Sequence, residues 1–361
     1  MIPALGGLCC VLFLILTSGA PPDRDGDSSV AATTMPTMQF RQALRAAMTE
    51  EMERDENVFL MGEEVAEYNG AYKVSEGMLD KFGSKRVIDT PISEAAFSGL
   101  GVGAAMVGLR PIIEFMSWSF SLVCCDQIIN NAANMRYMSG GQYRMPITFR
   151  GGNGIAHQLG STHSHRVETL YSRIPGLIVV APSTPYEAKG LLKSSIRCDD
   201  AVCFLESEIM LNDRGEVPAE EYTLPLGKAH VEREGDACTV ISYGRTLTRY
   251  VRPAIEQLAD EMDLHCELIG LRTLRPLDKE TLIRSIAKTH RAVIVSEDYG
   301  FCGMGGAVMA EIYNDVFDEL DAPIGHVHTD EHPIPYGHYM EEAMLPTADK
   351  IIAAVKEVCY R

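Results

Sequence analysis

The segment Asp89-Thr90-Pro91-Ile92-Ser93-Glu94 forms the corner between a predicted strand and a predicted helix of small and apolar residues, 95–106. Three glycines in this helix each lower its propensity by about 1 kcal/mol relative to alanine. This cost is explained if another backbone or a flat ligand must approach closely. The corner therefore predicts an α/β fold in which Glu94 begins a buried helix.

Glu94 has two interpretations. Ser93 can cap the helix, and an acid in the first turn interacts favourably with the helix dipole by about 0.3–1 kcal/mol. Alternatively, a carboxyl group held in an apolar site can exchange a proton with a bound heterocycle. The corner alone leaves both interpretations open.

The size, charge and cysteine pattern of the chain exclude several classes of protein and of binding site. Its 361 residues suffice for two domains with separate cores. A net charge of -18 argues against a nucleic acid partner, because phosphate binding needs a basic surface. Ten cysteines without any Cys-x-x-Cys motif indicate reduced thiols in a cytosol-like compartment, with no zinc knuckle.

Residues 1–37 are predicted to be a leader that is disordered or results from a mispredicted start. Residues 8–16 are strongly apolar, but no Lys or Arg precedes Arg24, so the basic start of an export signal is missing. The run is also short for a membrane span, and we expect the natural start near Met35 or Met38. An export signal, an anchor and an organelle-targeting leader are the alternatives.

Strand and helix patterns alternate from Met38 onward, which is typical of an α/β fold with parallel sheets. The predicted domains are residues 38–211 and 237–361, joined by a polar linker, 212–236. The main predicted strands are residues 58–61, 86–89, 111–115, 145–149, 177–180, 201–205, 238–242, 266–271 and 292–296. The main predicted helices are residues 126–138, 185–197, 247–262, 278–288, 307–320 and 347–359.

The chain has no G-x-G-x-x-G, Walker or G-x-S-x-G motif, so it lacks the usual nucleotide loops and the hydrolase elbow. Two H-x-H pairs, 163–165 and 326–328, raise the question of a zinc site. Further ligands at suitable spacing are missing. An acid–base histidine fits the glycine-rich setting of residues 151–160 better.

Several motifs occur together in a recognisable order from Met38 to the C-terminus. They are Gly62-Glu63-Glu64-Val65-Ala66, Gly70-Ala71-Tyr72-Lys73-Val74, residues 89–94, Gly108-Leu109-Arg110-Pro111, Glu114-Phe115-Met116, Tyr137-Met138-Ser139-Gly140-Gly141, Phe149-Arg150-Gly151 and Leu274-Arg275-Pro276-Leu277-Asp278. This set resembles the β subunit of the first, decarboxylating component of pyruvate dehydrogenase, in the 2-oxo-acid dehydrogenase family. The resemblance implies a pyrimidine-binding domain, a transketolase C-terminal-like domain and the cofactor thiamine diphosphate.

The resemblance also implies roles for particular residues. Glu94 is expected to bond to the aminopyrimidine of the cofactor and thereby promote attack on a 2-oxo acid. Phe120 is expected to pack on the pyrimidine ring, with Ile92 and Met116 as apolar neighbours. His163 is expected to face the substrate and the incoming lipoyl group. The glutamines usual in the family just before it and two places after it are Thr162 and His165 here.

The resemblance further implies ions and partners. The chain lacks the Gly-Asp-Gly that precedes Asn-Asn in the magnesium motif, so Mg²⁺ and the diphosphate are expected to be held mainly by an α subunit, in an α2β2 heterotetramer. A structural K⁺ is implied at five residues, mostly through backbone oxygens: Ile147, Ser195, Ile196, Cys198 and Asp200. The acidic C-terminal domain is expected to bind the basic domain of the dihydrolipoyl acyltransferase component.

The sequence therefore predicts pyruvate dehydrogenase (acetyl-transferring) activity that feeds acetyl-CoA formation, with no nucleic acid or membrane partner. A branched-chain 2-oxo-acid or acetoin dehydrogenase β subunit is the alternative within the class. A non-catalytic scaffold and a secreted or anchored protein are alternatives outside it. The expected location is the cytoplasm in a bacterium, or the mitochondrial matrix or a plastid in a eukaryote.

Overall fold

Two large sheets organise the chain. A computed structural model describes residues 35–361, so the predicted leader lies almost entirely outside the described residues. Residues 35–361 cluster as one unit. The elements up to residue 216 are β1 (Thr37–Gln39), α1 (Phe40–Arg54), β2 (Val58–Gly62), α2 (Met78–Phe82), β3 (Val87–Asp89), α3 (Glu94–Met106), β4 (Arg110–Ser117), α4 (Met135–Met138), β5 (Thr148–Gly152), α5 (Glu168–Ser172), β6 (Leu177–Val180), α6 (Pro185–Arg197), β7 (Ala201–Glu206) and β8 (Arg214–Glu216).

The second part of the chain repeats the alternation of strands and helices. Its elements are β9 (His230–Arg233), β10 (Thr239–Ser242), α7 (Gly244–Thr246), α8 (Arg252–Met262), β11 (Glu267–Gly270), β12 (Thr273–Arg275), α9 (Lys279–Thr289), β13 (Ala292–Tyr299), α10 (Met304–Val316), β14 (Gly325–Thr329), α11 (His338–Met344) and α12 (Ala348–Val358). Strands β8 and β9 lie inside the predicted linker, 212–236.

The strand order defines an α/β architecture. The first sheet has seven strands in the order β12-β6-β7-β5-β4-β2-β3, and the second has five in the order β14-β13-β10-β11-β9. All neighbouring pairs are parallel except β12 on β6 and β9 on β11. The two antiparallel edge strands were not predicted, because three or four residues are too few to show a strand period.

Strand β12 connects the two parts of the chain. It comes from the second part but pairs with β6 at the edge of the first sheet. The Ala181 amide donates to the Arg272 carbonyl at 2.8 Å, and Thr273 and Leu274 are buried. The sheet that carries the Glu94 corner is therefore completed by a segment distant in sequence.

The predicted limits of two elements near the site were wrong. The prediction ended strand β5 at residue 149, whereas the strand continues to Gly152. It continues because the Arg150 side chain is paired with acidic side chains inside the sheet. The predicted helix 126–138 is broken into a π-helical segment, Asp126–Ala132, and the short helix α4. Here the Asn131 and Asn134 side chains donate to the carbonyls of Asp126 and Ile129, an alternative to helical pairing that asparagine offers readily.

Candidate functional site at the Glu94 corner

The Glu94 corner lies where β3 ends and α3 begins. Glu94 is the first residue of α3 and is 8% exposed. The Asp89 carboxylate accepts the backbone amides of Ala66 and Glu67 at 2.6 and 3.0 Å. These bonds hold the loop after β2 against the corner, so the motif around Glu63 and the motif around Glu94 meet in space.

The prediction that Ser93 caps the helix was wrong. Its hydroxyl donates to the Pro91 carbonyl at 3.2 Å and makes no capping bond. Ile92 is 85% exposed at the same corner. The corner therefore buries the carboxyl group of Glu94 while leaving an apolar side chain available to another molecule.

Glu63 is a site residue that the sequence motif contained but to which no role was assigned. It follows β2 directly and is buried. Burial, the charge of Glu94 and a hydrogen bond with the Glu94 side chain raise the pKa of Glu63 to about 7. Glu63 Oε1 has no hydrogen-bond partner among the described residues. Two neighbouring buried carboxyl groups, with one oxygen unpaired, form a site suited to a ligand with ring nitrogens.

The raised pKa of Glu63 predicts a pH dependence of stability. In the unfolded chain Glu63 titrates near its ordinary pKa of 4.5, and in the folded chain near 7. Between these values the folded state binds more protons, so its stability falls as the pH rises from 4.5 to 7. Chemical denaturation of Glu63→Gln across this window should show a flatter pH profile than the unmodified chain. Parallel profiles for the two proteins would contradict the prediction.

Helix α3 is buried on one face only, so the prediction of a buried helix holds for half of it. Phe97 and Val102 are buried, whereas Leu100 is 66% exposed. A Cβ at Gly101 would lie 2.7 Å from Ile113 Cδ1, so this glycine permits close packing on β4. A Cβ at Gly103 would meet nothing within 4 Å. The outer face of α3 is therefore accessible at Leu100 and Gly103.

Phe120 and His163 are brought together from distant parts of the sequence. Their ring centroids lie 5.3 Å apart at 85°. The His165 amide donates to Ser119 Oγ at 3.2 Å, which joins the loop of His163 to the 3₁₀ segment that carries Phe120. The Thr162 hydroxyl lies 3.0 Å from His163 Nδ1, so the threonine that replaces the usual glutamine contacts the imidazole directly.

A buried carboxyl group lies close enough to His163 to interact with it electrostatically. Tyr72 Oη donates to Glu208 Oε2 at 2.8 Å. Burial raises the pKa of Glu208, and Tyr72, His157 and His163 oppose that shift. Glu208 was not identified from the sequence; its only signal was an acid two residues after a buried strand.

Cys124 lies close enough to the acid pair to feel its charge. Its thiol donates to the Ser121 carbonyl at 3.2 Å, and burial raises its pKa to about 12, with a smaller contribution from the charge of Glu94. Cys124 ends the same 3₁₀ segment that contains Phe120. Met116 lies half-buried on β4, two residues before that segment. Glu94, Met116 and Phe120 therefore lie on adjoining elements, with His163 packed against Phe120.

The residues predicted to bind K⁺ surround the end of α6. The carbonyls of Ile196 and Cys198 accept from Arg110 Nη1 at 3.1 and 3.0 Å. The Ile147 and Ser195 carbonyls accept from the amides of Val202 and Cys198, and the Asp200 carboxylate pairs with Arg136. Carbonyls at a helix C-terminus suit a cation, so the donor chemistry fits K⁺, but the Arg110 guanidinium already binds two of the predicted ligands.

The histidine pairs do not form a metal site in the described part of the chain. Within residues 35–361, no group of three or more His, Cys, Asp or Glu side chains is arranged to hold a metal ion. His326 and His328 lie on β14 with ring centroids 4.8 Å apart. Burial and the proximity of His328 lower the pKa of His326 to about 4, so the His326 imidazole is neutral at physiological pH.

Comparisons with known proteins agree with the geometry. The family described as "Transketolase, pyrimidine binding domain" matches residues 36–213, and "Transketolase, C-terminal domain" matches residues 227–351. A protein of Rickettsia conorii, "Pyruvate dehydrogenase E1 component subunit beta", is 48% identical over 89% of this chain and 98% of its own length. The chain belongs to the pyruvate dehydrogenase E1 β-subunit family. The family predicted from the motifs is therefore confirmed.

Other members of the E1 β-subunit family come from bacteria and mitochondria. The Rhizobium meliloti protein is 48% identical over 92% of this chain and 72% of its own. The mitochondrial protein of Caenorhabditis elegans is 47% identical over 92% and 94%. A solved structure, "Split gene transketolase, inactive beta4 tetramer", has a TM-score of 0.69 at 19% identity and covers 90% of this chain and 98% of its own. The predicted two-domain α/β fold class is confirmed.

Membership in this family implies that the transketolase-type domains bind a cofactor. Pyrimidine-binding domains of this type use thiamine diphosphate, as the sequence predicted. None of the helices within residues 35–361 is both long enough and apolar enough to span a bilayer.

Proposed function

We propose that this chain is the β subunit of a pyruvate dehydrogenase E1 component. Together with an α subunit it decarboxylates pyruvate on thiamine diphosphate and transfers the acetyl group to a lipoyl domain. The observation that carries the proposal is the buried Glu94 carboxyl group at the strand-to-helix corner, paired with Glu63. The relatives that bear the name of this subunit match this chain over nearly their whole length.

Glu94 and its neighbours fit the pyrimidine end of the cofactor. When bound, thiamine diphosphate supplies the carbanion and the electron sink for decarboxylation. Glu94 holds a proton at the ring nitrogen of the aminopyrimidine, and Glu63 supports it as its immediate neighbour. Ile92, Met116 and Phe120 line the ring site. The unpaired Glu63 oxygen supports the fit, because a buried acceptor without a partner is costly.

His163 acts at the side of the site that the substrate enters. Its Nδ1 contacts Thr162 and its ring edge meets Phe120, which leaves Nε2 available. We assign His163 to the orientation of the 2-oxo acid and of the incoming lipoyl group. Thr162 and His165, which replace the usual glutamines, are the positions at which substrate preference can differ from that of relatives.

An α subunit completes the site in an α2β2 heterotetramer. Exposed apolar residues at the corner, along α3 and on the segments after β4 support this partner, since exposed apolar surface marks protein interfaces. They are Ile92, Leu100, Val107, Val123, Tyr137 and Met138. The α subunit also supplies the main ligands for Mg²⁺ and the diphosphate. The dihydrolipoyl acyltransferase component binds the acidic C-terminal domain.

A structural K⁺ belongs to the proposal at the end of α6. Ile147, Ser195 and Asp200 are its expected ligands, and Ile196 and Cys198 share their carbonyls with Arg110. The expected location follows the relatives: the cytoplasm in a bacterium, or the mitochondrial matrix or a plastid in a eukaryote.

The test is decarboxylation by the chain co-expressed with the candidate α subunit. Thiamine-diphosphate-dependent turnover of pyruvate should exceed that of a branched 2-oxo acid by more than tenfold in kcat/KM, which is about 1.4 kcal/mol. The chain without its α subunit should turn over neither substrate, because half of the site is missing. The measurement is CO2 release with an artificial electron acceptor.

The other possible results of this assay distinguish the alternative functions. Preference for the branched acid would keep the mechanism and assign the branched-chain pathway, and turnover of acetoin alone would assign that enzyme. Turnover of no substrate by a correctly assembled heterotetramer would favour a non-catalytic scaffold. Robust turnover by the single chain would overturn the shared-site proposal.

A further inference from the structure

Two cysteines meet where the C-terminal helix packs on the second sheet. Cys238 directly precedes strand β10, and Cys359 caps the end of α12. Both belong to the hydrophobic cluster between this helix and the sheet. The cysteines of residues 35–361 carry free thiols, so the pair is reduced in this state.

The two thiols lie along the same short stretch of backbone. Cys359 Sγ donates to the carbonyl of Ala237 at 3.6 Å. Cys238 Sγ donates to the carbonyl of Thr239 at 3.6 Å. The two carbonyls belong to the residues on either side of Cys238, so both sulfur atoms border its peptide unit.

The surroundings make the two thiols unequal. The neighbouring Cys238 thiol lowers the pKa of Cys359 to about 7, assisted by Arg291 and Arg361 and opposed by burial. The Cys359 thiol and burial raise the pKa of Cys238 well above its usual value. Cys359 is partly exposed, whereas Cys238 is fully buried. A nucleophilic, accessible thiolate beside a protected second thiol is the arrangement of redox-active pairs.

A third cysteine serves as an internal comparison. Cys266 also belongs to this cluster and is fully buried. Burial raises its pKa to about 12, and within residues 35–361 its thiol makes no hydrogen bond to the carbonyls beside Cys238 that bind the other two thiols. Membership of this hydrophobic cluster is therefore not enough to make a cysteine part of a reactive pair.

We propose that Cys359 and Cys238 form a reversible disulfide when the protein meets a peroxide. The Cys359 thiolate attacks a peroxide oxygen, the O–O bond breaks, and Cys359 becomes a sulfenic acid as hydroxide leaves. The Cys238 sulfur then attacks that sulfur, and the S–S bond forms. The displaced oxygen leaves as water. The thiols lose two electrons and two protons in total, and one hydrogen peroxide becomes two waters.

The test is peptide mapping of the full chain after treatment with hydrogen peroxide. Free thiols are blocked with N-ethylmaleimide in denaturant, and trypsin is applied without reductant. We expect peptide 234–245, which contains Cys238, to be joined to peptide 357–361, which contains Cys359. The joined mass should be about 2 Da below the sum of the two peptides, and dithiothreitol should separate them.

Three variants make the result decisive. Cys359→Ser should leave Cys238 free to react with N-ethylmaleimide, and Cys302→Ser, a change at an exposed thiol elsewhere, should leave the linkage intact. Cys266→Ser should also leave it intact. Recovery of peptide 357–361 unlinked, or its linkage to peptide 250–272, which contains Cys266, would overturn the proposal.

Discussion

Replacement of Arg150 by methionine is expected to lower the free energy of unfolding by about 3–5 kcal/mol, the cost of removing one partner from a buried ionic group. Arg150 lies in β5 at the centre of the seven-stranded sheet and is buried. Its guanidinium donates to Glu114 on β4 and to Glu206 on β7. Burial already raises the pKa of Glu114, and only Arg150 opposes that shift. Without it, two carboxylates remain buried without a cation.

The measurement is urea denaturation of the purified full chain. Arg144→Met is the matched control, because Arg144 also pairs with a carboxylate, at 3.0 Å from Asp199, but is exposed. Its loss should cost less than about 1 kcal/mol. A triple change of Arg150→Met, Glu114→Gln and Glu206→Gln should recover part of the lost stability. Equal midpoints for Arg150→Met and Arg144→Met would show that the buried group contributes no more than a surface pair.

Replacement of Glu94 by glutamine is expected to lower pyruvate decarboxylation by about 100-fold or more in the complex with the α subunit. Glutamine keeps the size of the side chain but cannot exchange the proton. It also leaves Glu63 without the neighbour that helps to raise its pKa. The measurement is the thiamine-diphosphate-dependent rate at saturating cofactor, with cofactor affinity determined separately by titration.

Glu64→Gln is the control for this change, because Glu64 adjoins Glu63 in the same motif but is exposed. It should keep nearly full turnover, and both variants should keep the thermal midpoint of the unmodified complex. Turnover of Glu94→Gln within a few-fold of the unmodified complex would return Glu94 to its first interpretation, a partner for the dipole of α3.

The local patterns near the site predicted the parallel framework well. Strand β6 and helix α6 begin and end at the predicted residues, because an apolar run bounded by turns and a Thr-Pro helix start are local signals. The break between residues 126 and 138 was missed. Asparagine side chains there bond to backbone carbonyls, and the choice between that pattern and a helix depends on packing around them.

The sequence by itself determined the family and its thiamine diphosphate cofactor, because these depend on motifs whose order is preserved along the chain. The tertiary structure alone decided which groups meet. It paired Glu63 with Glu94, Phe120 with His163, and Arg150 with two acids from neighbouring strands. It also added β12 to the first sheet. Such contacts join residues far apart in sequence, and their energies depend on burial and distance, which no local pattern contains.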